Sequence, residues 1–377
     1  MTLTPLLSPL LDYAKAADRL AEGPGRAKIG LTPRRLVSRD GRTSLYRYES
    51  RARRAAGAAP VLVVYALVNR ATILDLLPGR SIVEVLLAAG LDVWLLDWGI
   101  AGPEHADEGL EAHVLGYLGR AVDSVRAAAK SARVSLFGYC QGGTLATMFA
   151  ALETEKVARL LVAVAPIRGR LNEGMIHFCS RPELFDPSVM ALPGNVPAES
   201  LNAAFTMLRP VENLLGKYVR YFEKASDPAF TTLFFAMERW LSEGDPLPGR
   251  LYREYVRGVY QEDLLVTTGV PVGPRRARVA DVRCPVTIVT SAQDHLVPPA
   301  STRALLELSA SREKRELAFA GGHVGLAISP KALSTVWVDA AGWLAASAKA
   351  EKPTRRAASP ARSRRRASAG ARGSAAR

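Results

Sequence analysis

Short, unbroken apolar runs punctuate the chain. Val61–Tyr65, Val93–Leu96, Val134–Phe137 and Leu160–Val164 are each four or five residues long, rich in Val and Leu, and show no alternation of polarity. Such runs suit strands buried on both faces of a parallel sheet. Between them lie amphipathic stretches, Arg80–Ala89 and Ala112–Ala129, whose apolar residues recur at helical spacing. Gly90 stands where a glycine ends a helix. The pattern resumes late in the chain, with strands over Val286–Thr290 and Glu316–Phe319 and helices over Ser301–Ser309 and Ala332–Ala346. Strand–helix alternation predicts an α/β fold built on a parallel sheet.

From about residue 167 to 280 the alternation stops. Half of the chain's Phe, Trp and Tyr residues fall there, and the segment reads as helices with aromatic faces, such as Tyr218–Phe222 and Phe230–Trp240. The expected organisation is therefore a lead segment over 1–55, an α/β core over 56–166 and 281–348, an inserted helical cap over 167–280, and a disordered basic tail over 349–377. The lead contains a helix-like stretch, Leu7–Leu20, then a Gly/Pro break and a strand-like stretch, Ser44–Glu49. No internal repeat is evident.

Composition narrows the picture. With 377 residues, 48% of them hydrophobic and 23% charged, the chain can bury a large core, which excludes wholesale disorder and collagen-like or coiled-coil architectures. The net charge of +14 suggests nucleic-acid binding until it is mapped. Residues 351–377 hold nine Lys or Arg and one acid, Glu351, so eight of the fourteen net charges sit in the tail. Three cysteines far apart, Cys140, Cys179 and Cys284, offer neither a disulfide framework nor zinc-ligand spacing, which fits a reducing compartment. The N-terminus has no basic n-region and is broken by Pro5 and Pro9, so no signal peptide is expected. The longest apolar run, Ala58–Val68, is too short for a membrane span of about 20 residues. A cytoplasmic protein is the expectation.

The most informative segment is Gly138-Tyr139-Cys140-Gln141-Gly142, which follows a buried run and precedes a helical pattern. This is the nucleophile-elbow spacing G-x-S-x-G with Cys in place of Ser. The nucleophile of such an elbow sits on a sharp, strained turn, and the residues two before and two after it must be small. The start of the following helix aims backbone N–H groups at an oxyanion and favours a thiolate. A nucleophile needs a base and an orienting acid, and on the α/β-hydrolase fold they follow in the order nucleophile, acid, histidine. His323 lies in Phe319-Ala-Gly-Gly-His-Val-Gly, just after the last strand-like run. Asp294 lies in Thr290-Ser-Ala-Gln-Asp-His, just after the preceding one. Cys140, Asp294 and His323 thus each occupy a strand-to-helix loop in the required order, at the sheet edge where catalytic groups gather. Oxyanion donors are expected from the backbone N–H groups of Gln141 and of the loop Ala66–Asn69, with Val68 the best single choice.

The remaining polar candidates read as structural. His295 is a loop neighbour of Asp294. His177 and Cys179 lie in the cap, where no strand edge presents them. His105 and His113 precede the elbow and read as surface or structural groups. Asp97, closing a buried strand in Asp97-Trp98-Gly99, reads as a hydrogen-bonded loop anchor.

Together these segments resemble the polyhydroxyalkanoate synthases. The matching pieces are Val-Tyr-Ala-Leu-Val-Asn-Arg (64–70), Leu-Leu-Pro-Gly-Arg-Ser (76–81), Leu-Asp-Val-Trp-Leu-Leu-Asp-Trp-Gly (91–99) and Gly-Tyr-Leu-Gly-Arg-Ala-Val-Asp (116–123). The variant lipase box Gly-Tyr-Cys-Gln-Gly-Gly (138–143), Asp-His-Leu-Val-Pro-Pro (294–299) and Gly-Gly-His-Val-Gly (321–325) complete the set. The similarity spans about residues 55–345 and is loose over the cap. With only about 55 residues before the first core strand, the chain resembles the short catalytic subunit of two-component synthases.

That resemblance implies polymerisation of a 3-hydroxyacyl-coenzyme A, 3-hydroxybutyryl-coenzyme A above all, through a Cys-linked intermediate. Coenzyme A is released and the growing polyester is the product. It further implies a companion synthase subunit, a homodimer, and residence at the surface of polyester granules. Neither a metal nor a redox cofactor is implied. The same triad also suits a cysteine-dependent esterase, thioesterase or polyester depolymerase. The tail motivates a reading of another class, a non-catalytic granule or nucleoid tether that binds DNA weakly and non-specifically through residues 351–377, beside the plainer and preferred reading of a solvated, flexible tail that aids solubility.

Overall fold

The computed structural model describes residues 4–346; the tail expected over 349–377 lies outside the described residues. The strands of the central sheet are β1 (Arg34–Asp40), β2 (Thr43–Tyr48), β3 (Val61–Val64), β4 (Val93–Asp97), β5 (Val134–Tyr139), β6 (Val157–Ala163), β7 (Val286–Ser291) and β8 (Lys314–Phe319). Their order is β1-β2-β4-β3-β5-β6-β7-β8. The strands from β4 to β8 in that order are mutually parallel, and β2 and β1 extend the β4 edge antiparallel.

Every residue of β3, β5 and β7 is buried, as runs without alternation require. Successive side chains point to opposite faces and feed two cores. On one face Leu62, Leu136, Val162 and Ile288 pack beneath α3 (Gly119–Ala129), α4 (Gln141–Leu152) and α11 (Pro299–Leu308). On the other, Val63, Phe137, Leu161 and Val289 pack beneath α2 (Ile82–Ala88), α12 (His323–Ile328) and α14 (Val336–Ala345). Each such Val, Leu or Phe contributes roughly 1.5–3 kcal/mol by burial, so the sheet is the rigid platform for whatever its loops carry.

Local chemistry bounds the helices. Ser81 Oγ accepts from the Glu84 N–H at 3.0 Å and caps α2. At the other end Gly90 takes φ 76°, its N–H donates to Leu87 O at 2.9 Å, and Leu91 N–H donates to Leu86 O at 3.3 Å. This is a Schellman closure that needs a left-handed residue. The helix expected over Ala112–Ala129 begins instead as a wider π-helical turn, Ala112–Leu118, before α3. The helix expected over Ala332–Ala346 is broken at Thr335 (φ −122°, ψ −85°) into α13 (Pro330–Ser334) and α14.

The sheet also reaches into the lead segment. β2 pairs with β4, Leu45 opposite Leu96, and β1, which the sequence pattern does not single out, forms the edge. The N-terminal helix α1 (Thr4–Glu22) meets the insertion, where Tyr221 Oη donates to Ala16 O at 3.1 Å.

Between β6 and β7 the chain leaves the sheet. This insertion holds α5 (Gly174–Cys179), α6 (Pro187–Met190), α7 (Ala198–Met207), α8 (Lys217–Lys224), α9 (Pro228–Ser242) and α10 (Gly249–Tyr255), with π-helical turns at Val211–Gly216 and Val256–Gln261. It is not wholly helical, because Val270–Val272 and Arg275–Ala277 form a small hairpin. Among the described residues, no helix is long and apolar enough to cross a membrane.

The strand order reverses around β3, since β4 lies on one side and β5 on the other. A crevice therefore opens beyond the carboxyl ends of β3 and β5, where open α/β sheets place their ligands.

Candidate active site

Cys140 stands between β5 and α4 with φ 52° and ψ −129°, a conformation that non-glycine residues adopt only when the surroundings enforce it. The enforcement is visible. Cys140 N–H donates to Ala163 O at 2.9 Å, and its carbonyl accepts from Gly143 N–H at 2.8 Å. The neighbouring glycines are steric requirements. A Cβ on Gly138 would collide with the backbone of Gly143, and one on Gly142 with the carbonyl oxygens of Val64 and Tyr65. The elbow therefore lies directly against the loop that follows β3.

His323 opens α12, just past β8, and Asp294 lies in the loop past β7. His323 Nδ1 and Asp294 Oδ2 are 2.6 Å apart, with both side chains buried. The other carboxylate oxygen of Asp294 accepts from the N–H groups of Leu296 (2.8 Å) and Val297 (2.9 Å), which fixes its plane. Tyr139 Oη donates to the His323 carbonyl at 2.8 Å, and the two rings meet edge-on at 5.8 Å. Burial works to strip the imidazole of its proton. The thiolate charge of Cys140, the charge of Asp294 and hydrogen bonds with both outweigh it, raising the His323 pKa to about 10. The structure thus brings Cys140, His323 and Asp294 together, with the imidazole hydrogen-bonded to the carboxylate.

Val68 and Gln141 line a single cavity of about 370 Å³. The core contributes Leu67, Val68 and Gln141; the insertion contributes an apolar wall that includes Phe178, Phe185, Met190, Tyr252, Tyr255 and Tyr260. Gln141 Oε1 accepts from Leu67 N–H at 3.2 Å, tying the elbow to the loop. Tyr255 Oη donates to Thr144 Oγ1 at 2.9 Å, so the polar end of this wall residue is satisfied inward and its ring faces the cavity.

The other candidates lie elsewhere or in other roles. Cys179 lines the cavity, but burial pushes its thiol up to about 12, as it does that of Cys284. Both are thiols at neutral pH and poor nucleophiles. His177 Nδ1 lies 3.3 Å from Leu171 O. His295 is half-buried, and burial and the Arg209 charge lower its pKa. His105 accepts from Gly102 N–H at 3.0 Å. His113 is buried against Arg42 and Gly109 O, and burial brings its pKa down to about 4. Asp97 accepts from Gly99 N–H at 3.0 Å, a loop anchor. Among the described residues no group of three His, Cys, Asp or Glu side chains is placed to hold a metal ion. Trp240, whose indole N–H donates to Arg70 O in the loop after β3, carries no local motif; only its aromatic character hints at a buried role.

Comparison with known proteins agrees with this fold. The α/β-hydrolase-fold family matches residues 59–330. The poly(3-hydroxyalkanoate) polymerase subunit PhaC of Allochromatium vinosum is 35% identical over 349 residues, covering 90% of this chain and 96% of that protein. Its namesake in Haloferax mediterranei is 34% identical over 89% of this chain and 68% of that protein. The one in Synechocystis is 34% identical over 84% and 85%. Identity of this level across nearly the whole sheet and insertion, in a chain with a cysteine at the elbow, establishes that it belongs to the poly(3-hydroxyalkanoate) polymerase family of the α/β-hydrolase fold.

Proposed function

We propose that this chain is a polyhydroxyalkanoate synthase, an acyltransferase that joins 3-hydroxyacyl units from their coenzyme A thioesters into polyester, with Cys140, His323 and Asp294 as its catalytic residues. The observation that carries the reading is the elbow cysteine beside a buried, hydrogen-bonded His–Asp pair, in a chain so similar to named polymerases. The Cys140 thiolate attacks the thioester carbonyl, the C–S bond to coenzyme A breaks, and the leaving thiolate takes the proton held on His323. One thioester replaces another, so the step is close to neutral and the acyl group stays activated. A hydroxyl of a second hydroxyacyl unit then attacks the acyl-Cys140 carbonyl. His323 accepts the hydroxyl proton, the C–S bond breaks, and an oxoester forms downhill. Asp294 orients His323 and stabilises its cation. The backbone N–H groups of Val68 and Gln141 receive the oxyanion of both tetrahedral intermediates. The aromatic cavity wall excludes the water that would otherwise hydrolyse the acyl-enzyme.

The insertion carries exposed apolar side chains, among them Val189, Leu192, Val211 and Leu215. They support residence at a polyester granule surface and offer area for a companion synthase subunit or a homodimer. The basic tail adds weak, salt-dependent contact with DNA.

The test is product analysis with purified protein and 3-hydroxybutyryl-coenzyme A beside Cys140→Ala, with the companion subunit supplied. Polymer and coenzyme A release from the wild type, and neither from Cys140→Ala, is the expected result. Free 3-hydroxybutyrate as the sole acyl product would replace the synthase with a cysteine hydrolase; release of nothing would leave a tether.

A further inference from the structure

The loop Tyr65–Arg70, which carries the proposed oxyanion donor Val68, is gripped from two sides. The core supplies the first grip. Trp98 Nε1 donates to Tyr65 O at 3.1 Å, and Gln141 Oε1 accepts from Leu67 N–H. The insertion supplies the second. Trp240 Nε1, in the last turn of α9, donates to Arg70 O at 2.8 Å, and Asp245 Oδ1 accepts from Arg70 Nη2 at 3.0 Å. Between the grips Asn69 takes φ 56°, a left-handed conformation that persists only where neighbours over-determine it. Gly244 lies so close that a Cβ there would sit 3.4 Å from Asn69 Oδ1. Trp240 is only 5% exposed, so its indole is committed to this contact.

We infer that Trp240 and the Arg70–Asp245 pair are positioning residues, which set the oxyanion loop from the insertion so that acyl transfer requires the insertion to be seated. The argument rests on the reading of Val68 and Gln141 given above. It has a geometric basis: an oxyanion donor works only when pre-aimed, and the backbone between Leu67 and Arg70 is too short to be fixed at one end by the core and left free at the other. The chain that walls the substrate cavity is thereby the chain that aims the oxyanion donor. Cavity wall and chemistry form one mechanical unit.

The experiment compares two reactions of Cys140 in the full-length protein. Acylation by p-nitrophenyl acetate passes through a tetrahedral oxyanion; alkylation by iodoacetamide does not. Trp240→Phe keeps an aromatic ring and removes the donor. Asp245→Ala removes the acceptor, and Asp245→Asn restores a neutral one. Lys217→Met breaks an ion pair with Glu238 that lies within the insertion and does not reach the loop.

Trp240→Phe and Asp245→Ala should slow acylation by about tenfold or more, as small misplacements of an oxyanion donor do, and leave the alkylation rate unchanged. Asp245→Asn should recover much of the loss, and Lys217→Met should change neither reaction. Unchanged acylation in both strap variants would overturn the inference. So would a parallel fall in acylation and alkylation, which would mark a general disturbance of the site. A wild type that is acylated yet makes only free acid from 3-hydroxybutyryl-coenzyme A would sink the polymerase reading and leave the strap standing. A wild type that p-nitrophenyl acetate does not acylate would overturn both.

Discussion

Burial alone would leave His323 neutral, yet its two partners hold a proton on it to about pH 10. The consequence is measurable. Titration of the His323 ring by NMR should show the imidazolium surviving far above the ordinary value of 6.5, and Asp294→Asn should bring the transition down, with turnover falling at least about a hundredfold because the ring loses its orienting partner. Stability follows the same linkage. The folded-state pKa lies above the unfolded one, so the contribution of His323 is full below about pH 6.5 and is lost as pH rises through about 10. A Cys140→Ala variant removes one of the two charges that hold the proton, so its His323 should titrate lower than that of the wild type. A ring that titrates near 6.5 in the wild type would contradict this effect of its partners on His323.

At the scale of elements, the parallel strands were readable because burial on both faces leaves a plain sequence mark, as in Val61–Val64 and Val286–Ser291. β1 left no such mark. Its residues, Arg-Arg-Leu-Val-Ser-Arg-Asp, are exposed or half-buried throughout, and pairing with β2 alone makes them a strand. The π-helical turns were unreadable for another reason, since a shifted backbone hydrogen bond has no residue signature. Cys140, Asp294 and His323 were each legible from a strand-to-helix loop. The grips on the loop after β3 were not, because Trp98, Gln141 and Trp240 are drawn to it from distant parts of the chain. Gly90 offers a test at this scale. Its φ of 76° and the Arg53 carbonyl that would meet a Cβ both exclude a side chain. Gly90→Ala should cost roughly 1–3 kcal/mol in urea unfolding; an unaltered midpoint would show that the α2 terminus can rearrange.

For the molecule as a whole, eight of the fourteen net charges belong to the sequence 351–377, and the exposed apolar side chains among the described residues lie largely on the insertion. Replacing Leu192 and Leu215 together with Asp should lower adsorption to amorphous poly(3-hydroxybutyrate) particles while sparing the acylation of Cys140; equal adsorption by the variant would place the contact elsewhere. Truncation at about residue 350 should abolish DNA retention at low salt and leave turnover intact, and retention by the truncated chain would assign DNA binding to the folded part.

The insertion leaves the sheet after β6 and returns at β7, and these strands are neighbours, with Val286 beside Leu160. A descendant gene could therefore exchange the whole segment without disturbing the register of the sheet or the spacing of Cys140 and Asp294. Such grafts would face one condition of inheritance: the incoming segment must bring its own counterparts of Trp240 and Asp245. Lineages free to diversify what the cavity admits would still be bound at those two positions by the chemistry beneath.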